Sequence, residues 1–345
     1  MTRARPDIAA AILRDPFGED GAALTCPPLH LLGGEFRFES NSEELLRLVD
    51  VAYAGLPGHR LGKPVPRMRV RLELAPAGEP HRRRAEPAPL RMFSGAGFLG
   101  GASASARFAV FSERERTALV GVPAEMLRFP YHTRYELIEF AVFTLAARVQ
   151  RLVPLHAACV AHAGRAVLLM GASGAGKSTL ALHWLLQGLE FVSEDSVFVH
   201  AESLRATGIA NFLHVRADSL RWLGRRPQAA AIRRSPVIRR RSGVSKFEVD
   251  LRCHGFHLAA TAPRLVGVIF LSAQDAGSGP LLQPVSAAQA STMMAAEQGY
   301  AAGQPQWRTF QRGTARLGAF VLRRGRHPME ATQALRQYLA SRHPD

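Results

Sequence analysis

The sequence predicts an α/β protein, with a phosphate-loop domain over residues 151–345 and a smaller mixed α+β domain over residues 1–150. Three observations carry this expectation. Apolar residues alternate at strand spacing in some stretches and recur at helix spacing in others. A glycine-rich loop at residues 171–178 stands between a strand pattern and a helix pattern. The texture of the chain also changes after Pro154.

In order along the chain, "GEFRFES" and "PRMRVRLELAP" alternate as strands, and "SNSEELLRLVDVAYAGLP" opens with Ser and Asn ahead of Glu44 as a capped helix. The Pro- and charge-rich stretch 77–89 reads as a loop. "GAGFLGGASASA" reads as a turn or flexible connector between strands. "TRYELIEFAVFTLAARVQRL" is a helix with Thr133 as its expected cap. The first 150 residues are thus a candidate substrate-binding unit. Beyond Pro154, "LHAACVAH", "AGR" and "AVLLMG" form an antiparallel hairpin that delivers the chain into the glycine loop. A helix from Lys177 to Gln187 is stopped by Gly188. "LEFVSEDSVFVH" is a strand pair or a bent strand, "RLVGVIFLS" a buried strand, and "PMEATQALRQYLASR" a closing amphipathic helix.

Composition bounds the function. A 345-residue chain that is 47% hydrophobic has ample core, which excludes wholesale disorder. The formal charge of +16 favours anionic partners, although the arginines are mostly scattered. Lysine occurs only at Lys63, Lys177 and Lys246. Cys26, Cys159 and Cys253 are too few for a disulfide framework and point to a reducing compartment. The N-terminal stretch does not read as a signal peptide, and the apolar run Leu137–Leu155 is interrupted by Glu139, Arg148 and Arg151. The expectation is a cytoplasmic protein with no membrane partner. Homo-oligomerisation is also expected.

Gly171-Ala172-Ser173-Gly174-Ala175-Gly176-Lys177-Ser178, followed by Thr179, fits G-x-x-x-x-G-K-[ST] in full. Glycines let backbone N–H groups turn onto phosphate oxygens, and a helix N-terminus adds partial positive charge. Lys177 supplies a cation for the outer phosphates, and Ser178 a hydroxyl for Mg²⁺. The expected ligands are therefore ATP and Mg²⁺. No LSGGQ-like or NKxD-like segment is present, and Asp275 falls too late to end the strand that closes at Ser272. The Mg²⁺-holding acid then falls to Glu194 or Asp195, one helix after the loop. One carboxylate can hold the metal while the other accepts a proton from a hydroxyl nucleophile. On a regular strand they point to opposite faces, so both roles require a local bend.

The ordered segment "PLHAACVAHAGRAVLLMGASGAGKSTLALHWLLQGLEFVSEDSVFV" resembles the catalytic domain of HPr kinase/phosphorylase and its relatives, in which a histidine precedes the loop and an acidic pair follows one helix later. His156 stands at the histidine position, and Glu194 and Asp195 at the acidic pair, with Glu in place of the usual first Asp. The resemblance covers about residues 150–200. It implies a fold related to phosphoenolpyruvate carboxykinase and ATP- and Mg²⁺-dependent phosphorylation of a serine hydroxyl on a peptide or protein. The N-terminal half looks more like divergent relatives from peptide-biosynthesis clusters, including those that phosphorylate lasso-peptide precursors. In place of the family's E-x-R-G the chain has "KFEVDLRCHG". Either Glu248 and Arg252 stand in for it or the match is accidental.

The resulting assignment gives phosphate binding to Lys177 and the loop amides, Mg²⁺ to Ser178 and Asp195, and the general base to Glu194, with the two acids interchangeable. His156 either orients the acids or meets the γ-phosphate; its alternative is a satisfied core histidine. Lys246 and Arg252 are the candidate cations over the transferring phosphate. The spacing of His156, Cys159 and His162 does not make a zinc site, because alternation sends the first two to opposite faces. The tract Arg216–Arg241 reads as a solvated basic face. It lacks interleaved aromatics apart from Trp222, which speaks against nucleic acid. The rival readings are a nucleotide-gated binding protein without phosphotransfer, a small-molecule kinase, and a nucleic-acid-associated NTPase.

Overall fold

The computed structural model describes residues 23–75, 86–103, 107–224 and 227–342. The N-terminal half builds an eight-stranded mixed sheet from β1 (Leu24–Thr25), β2 (Leu29–Leu31), β3 (Gly34–Ser40), β4 (Arg67–Ala75), β5 (Arg91–Gly95), β6 (Phe98–Ala102), β7 (Phe108–Ser112) and β8 (Thr117–Pro123). Alternation in β3 puts Phe36 and Phe38 in the core while Arg37 stays in solvent. Helix α1 (Glu43–Tyr53) is capped by the Ser42 hydroxyl, which accepts from the Leu45 N–H, and it buries Leu45, Val49, Ala52 and Tyr53. It carries the chain across so that β3 and β4 run parallel, and β8 adds parallel to β4. β5 to β8 form an antiparallel meander that ends the sheet at β5.

Two expectations change here. Among its described residues, the segment expected to be a connector is mostly strand: Ala96 and Gly97 turn, and β6 follows at once. Of the 77–89 loop and the connector, residues 77–85 and 104–106 lie outside the described residues. Thr133 does not cap a helix. It is buried inside a helical segment that begins at Pro130, and its hydroxyl donates to the Met126 carbonyl. That segment runs as α2 (Pro130–Thr133), one π turn (Arg134–Ile138) and α3 (Glu139–Val149).

The second half is built on a six-stranded mixed sheet. Its order is β12 (Glu190–Ser193), β10 (Ala158–His162), β11 (Arg165–Met170), β18 (Arg264–Asp275), β20 (Gly318–Arg324) and β19 (Leu282–Pro284). Two smaller sheets join β9 (Leu152–Leu155) to β13 (Val197–His200) and β14 (Ala206–Gly208), and join β15 (Phe212–Val215) to β16 (Val237–Arg239) through β17 (Ser245–Asp250). The helices are α4 (Lys177–Leu185), α5 (Pro227–Arg234), α6 (Ala287–Glu297), α7 (Gly299–Ala302), α8 (Trp307–Thr314) and α9 (Pro328–Ala340). Both faces of the large sheet are covered. Val160, Val167, Leu169 and Ile269 pack with α4 and α9, whereas Cys159, Leu168, Val268 and Phe270 pack with Met294, Trp307 and Phe310. Continuous apolar runs are what a sheet buried on both faces requires.

β18 runs on past Ser272 to Asp275, so the expectation that Asp275 lies beyond the strand is corrected. The added residues Ala273, Gln274 and Asp275 are exposed and follow an irregularity in the pairing with β20. Among the described residues, no helix is long and apolar enough to cross a membrane.

Candidate active site

The hairpin β10–β11 delivers the chain into the glycine loop, as its pattern requires. Gly171, Gly174 and Gly176 all hold positive φ, and Gly171 packs so closely that a Cβ would meet Ala175 at 3.1 Å. Ala172 accepts a bond from the Ala175 N–H, and Ala172, Ser173 and Gly174 are exposed at the loop's tip. Lys177 opens α4 and is buried; its Nζ donates to the Gly171 carbonyl at 2.5 Å and lies 3.4 Å from that of Ala172. Thr179 Oγ1 lies 3.0 Å from Ser219 Oγ.

The acids owe their position to a change of sheet. β12 pairs with β10 in the large sheet, and β13 pairs with β9 in a small one. Both chains break at the same level: Cys159 lies opposite Ser193 on one side of the break, and Leu155 opposite Val197 on the other. His156 occupies one break and Glu194 and Asp195 the other. This is the bend that two adjacent acids need to serve one site. It also corrects the placement of His156 on a strand, since β10 begins only at Ala158.

The two carboxylates then meet different surroundings. Glu194 is buried; Oε1 accepts from Ser178 Oγ at 2.5 Å, and Oε2 from the backbone N–H of His214 at 2.8 Å and its Nδ1 at 2.9 Å. Burial alone would raise its pKa. The charge and hydrogen bond of His214, the Ser178 hydroxyl and Lys246 outweigh it and hold the carboxyl at about 2. Burial likewise opposes the charge on His214, but Glu194 and Glu248 overcome it and raise its pKa. His214 continues a chain of contacts: Nε2 lies 3.1 Å from Tyr135 Oη, Tyr135 donates to Glu248 at 3.2 Å, and Arg134 donates to both oxygens of Glu248.

Asp195 is partly open, its side chain 39% exposed. Oδ1 lies 3.2 Å from His156 Nδ1 and Oδ2 3.4 Å from Arg240 Nη1. The His156 imidazole is itself half exposed, which removes its reading as a satisfied core histidine. Its backbone is clamped by the Gln298 amide, which accepts from the His156 N–H and donates to its carbonyl. Asp195 and His156 border a cavity of about 830 Å³, lined with Met92, Phe93, Phe143, Leu155, Phe198 and Tyr300 among others.

Lys246, on β17, is half-buried. Burial lowers its pKa, and Glu194 and Asp195 partly counter that, so it shares the acids' neighbourhood. Arg252 does not join them. Its guanidinium donates to Asp250 and to the carbonyls of Val51 on α1 and Ala54 just after it, which makes it a tie between the two halves of the chain. Glu248 does reach the site, through Tyr135 and His214. Sequence reasoning missed His214, Tyr135 and the individual role of Arg240. The only signal was a lone histidine in the apolar strand "NFLHV". Cys159 is buried in the core, and among the described residues no cluster of three or more His, Cys, Asp or Glu could hold a metal.

The residues expected to hold a nucleotide phosphate and Mg²⁺ lie together. A lysine holds loop carbonyls, a hydroxyl faces a buried carboxylate, and Arg240 Nε is buried with no hydrogen-bond partner among the described residues. Fold and site thus define a mixed α/β chain with a glycine-rich loop beside an acidic pair. No family model and no curated protein matches the chain. Among solved structures it is similar to the Hpr(Ser) kinase/phosphatase from Coxiella burnetii, at 12% identity and a TM-score of 0.26, over 54% of this chain and 89% of that one.

Proposed function

We propose that this chain is a kinase that transfers the γ-phosphoryl group of ATP, with Mg²⁺, to a serine hydroxyl of a peptide or protein. The observation that carries the reading is the division of labour between Glu194 and Asp195. Glu194 is buried, anionic and bonded to the loop serine, while Asp195 is open and paired with His156 at the edge of an apolar cavity.

That division supports the second of the two role orders open to the sequence. Ser178 and Glu194 would hold Mg²⁺, which when bound offsets the charge on the β- and γ-phosphates. Lys177 and the loop amides bind the phosphates, with Arg240 and Lys246 as the cations nearest the acids. Asp195 is the general base, oriented by His156 and Arg240. The serine Oγ forms its bond to the γ-phosphorus as the bond from that phosphorus to the β–γ bridging oxygen breaks. ADP keeps the electron pair, and the hydroxyl proton passes to Asp195. The acceptor class implied by the sequence resemblance is a ribosomally made precursor peptide of the lasso type.

The test is incubation with γ-labelled ATP, Mg²⁺ and serine-containing peptides. Label is expected on peptide serine, and transfer should be lost in Asp195→Asn. Undiminished transfer by both Asp195→Asn and Glu194→Gln would remove the proposed roles.

A further inference from the structure

The cavity beside Asp195 reaches a feature that the kinase reading does not use. β5 is the last strand of the eight-stranded sheet, all five of its residues are exposed, and among the described residues nothing pairs with its outer side. Its hairpin with β6 turns through Ala96 and Gly97, both at positive φ, the geometry of a two-residue type I′ turn. Gly95 and Phe98 are therefore a hydrogen-bonded pair, and the antiparallel alternation follows from there. Phe93 and Arg91 bond inward to β6. The N–H and C=O groups of Met92 and Ser94 point away from the sheet.

Unpaired outward groups on a flat edge are a template for another strand. Natural edges are usually blunted by proline or inward charge, but Met92, Phe93 and Ser94 carry neither. The same three residues line the cavity that His156 and Asp195 also line. Met92 is 64% exposed and Phe93 46% exposed, so the edge presents large apolar side chains to solvent beside that cavity.

We propose that the acceptor is an extended peptide that adds as a strand to the outer edge of β5. Its main chain is read by Met92 and Ser94, and a large apolar side chain next to the acceptor serine fills the cavity that Asp195 and His156 border. The main-chain bonds give affinity for any extended segment, and the cavity gives the preference for an apolar neighbour. The serine's delivery to Asp195 rests on the kinase reading; the docking mode does not.

The probe is a degenerate peptide library with one fixed serine, scored both for binding by fluorescence anisotropy and for label transfer from ATP. Ser94→Pro and Met92→Pro each remove one outward N–H at an edge position where proline is tolerated. Unchanged ATP binding and melting temperature establish that each variant is folded. Peptides with an aromatic or large aliphatic residue beside the serine are expected to be enriched. Their Kd and KM should rise about tenfold or more in either variant, about 1.4 kcal/mol, with kcat retained. Equal Kd and KM in wild type and both variants, or no selection for an apolar neighbour, overturns the docking mode and leaves the kinase standing. Edge-dependent binding without any transfer supports the docking mode and sinks the kinase. Transfer to small hydroxyl compounds with no peptide bound overturns the peptide acceptor.

Discussion

Glu194 and Asp195 are chain neighbours whose surroundings differ more than their chemistry. The first is enclosed by Ser178 and His214 and kept ionised by them; the second meets His156 and Arg240 at an open edge. Substitution should therefore separate binding from chemistry. Asp195→Asn is expected to lower kcat by about 10²- to 10⁴-fold, the usual worth of a general base, with ATP affinity unchanged. Glu194→Gln is expected to weaken Mg²⁺-ATP binding. Titration calorimetry beside single-turnover rates distinguishes the two, and identical profiles for both variants would contradict the assignment. The pH dependence of stability follows from the same pair. Glu194 has a depressed pKa, so its contribution is present above the ordinary carboxyl value and is lost as pH falls toward about 2. His214 is raised, so its contribution is present below the ordinary imidazole value and fades as pH climbs through its higher folded value.

At the scale of elements, the site is held by a seam between the π turn (Arg134–Ile138) and the small β15–β17 sheet. Arg134 and Glu248 are both buried and joined by two hydrogen bonds, and Tyr135 links Glu248 to His214. Removing one partner of a buried pair leaves a charge without its counter-ion. Arg134→Leu should cost about 3–5 kcal/mol in urea unfolding, and Arg134→Leu with Glu248→Leu should recover much of that. A single substitution as mild as the double one would show that the pair contributes little. The helix itself was legible in the sequence, but its start and its π turn were not. The buried Thr133 takes its place from its hydrogen bond to the Met126 carbonyl, seven residues back, rather than from a local cap.

Across the whole molecule, the two halves share polar contacts at their junction. Glu139 on α3 is buried beside Asn211, and desolvation raises its pKa to about 7 despite Asn211 and Arg134, which act the other way. A raised carboxyl favours the neutral folded form, so stability should fall as pH rises from about 4.5 to about 7. Glu139→Gln keeps an acceptor for Asn211 and is expected to stabilise the protein at pH 8, by roughly 3 kcal/mol, with little effect at pH 4. Equal stabilisation at both pH values would point to another cause. Arg252 belongs to this scale as well: Arg252→Ala should lower the melting temperature while ATP affinity stays constant. Unlike the catalytic candidates, Arg252 spends all its described bonds on Asp250, Val51 and Ala54.

The sequence by itself determined what is local in the chain. The hairpin, the glycines at positive φ, the lysine at the helix start and the position of the acids one helix later all follow from adjacent residues and backbone sterics. The tertiary structure decided which partner each group meets. Two strands leave one sheet for another at the same level, and that break faces His156 toward Asp195 and turns Glu194 toward Ser178. His214 and Arg240 come to the acids, and Tyr135 to His214, from other elements between 20 and 79 residues away in sequence, where no spacing rule reaches. Burial and charge there depend on contacts across the fold, and these set the different states of two adjacent carboxylates.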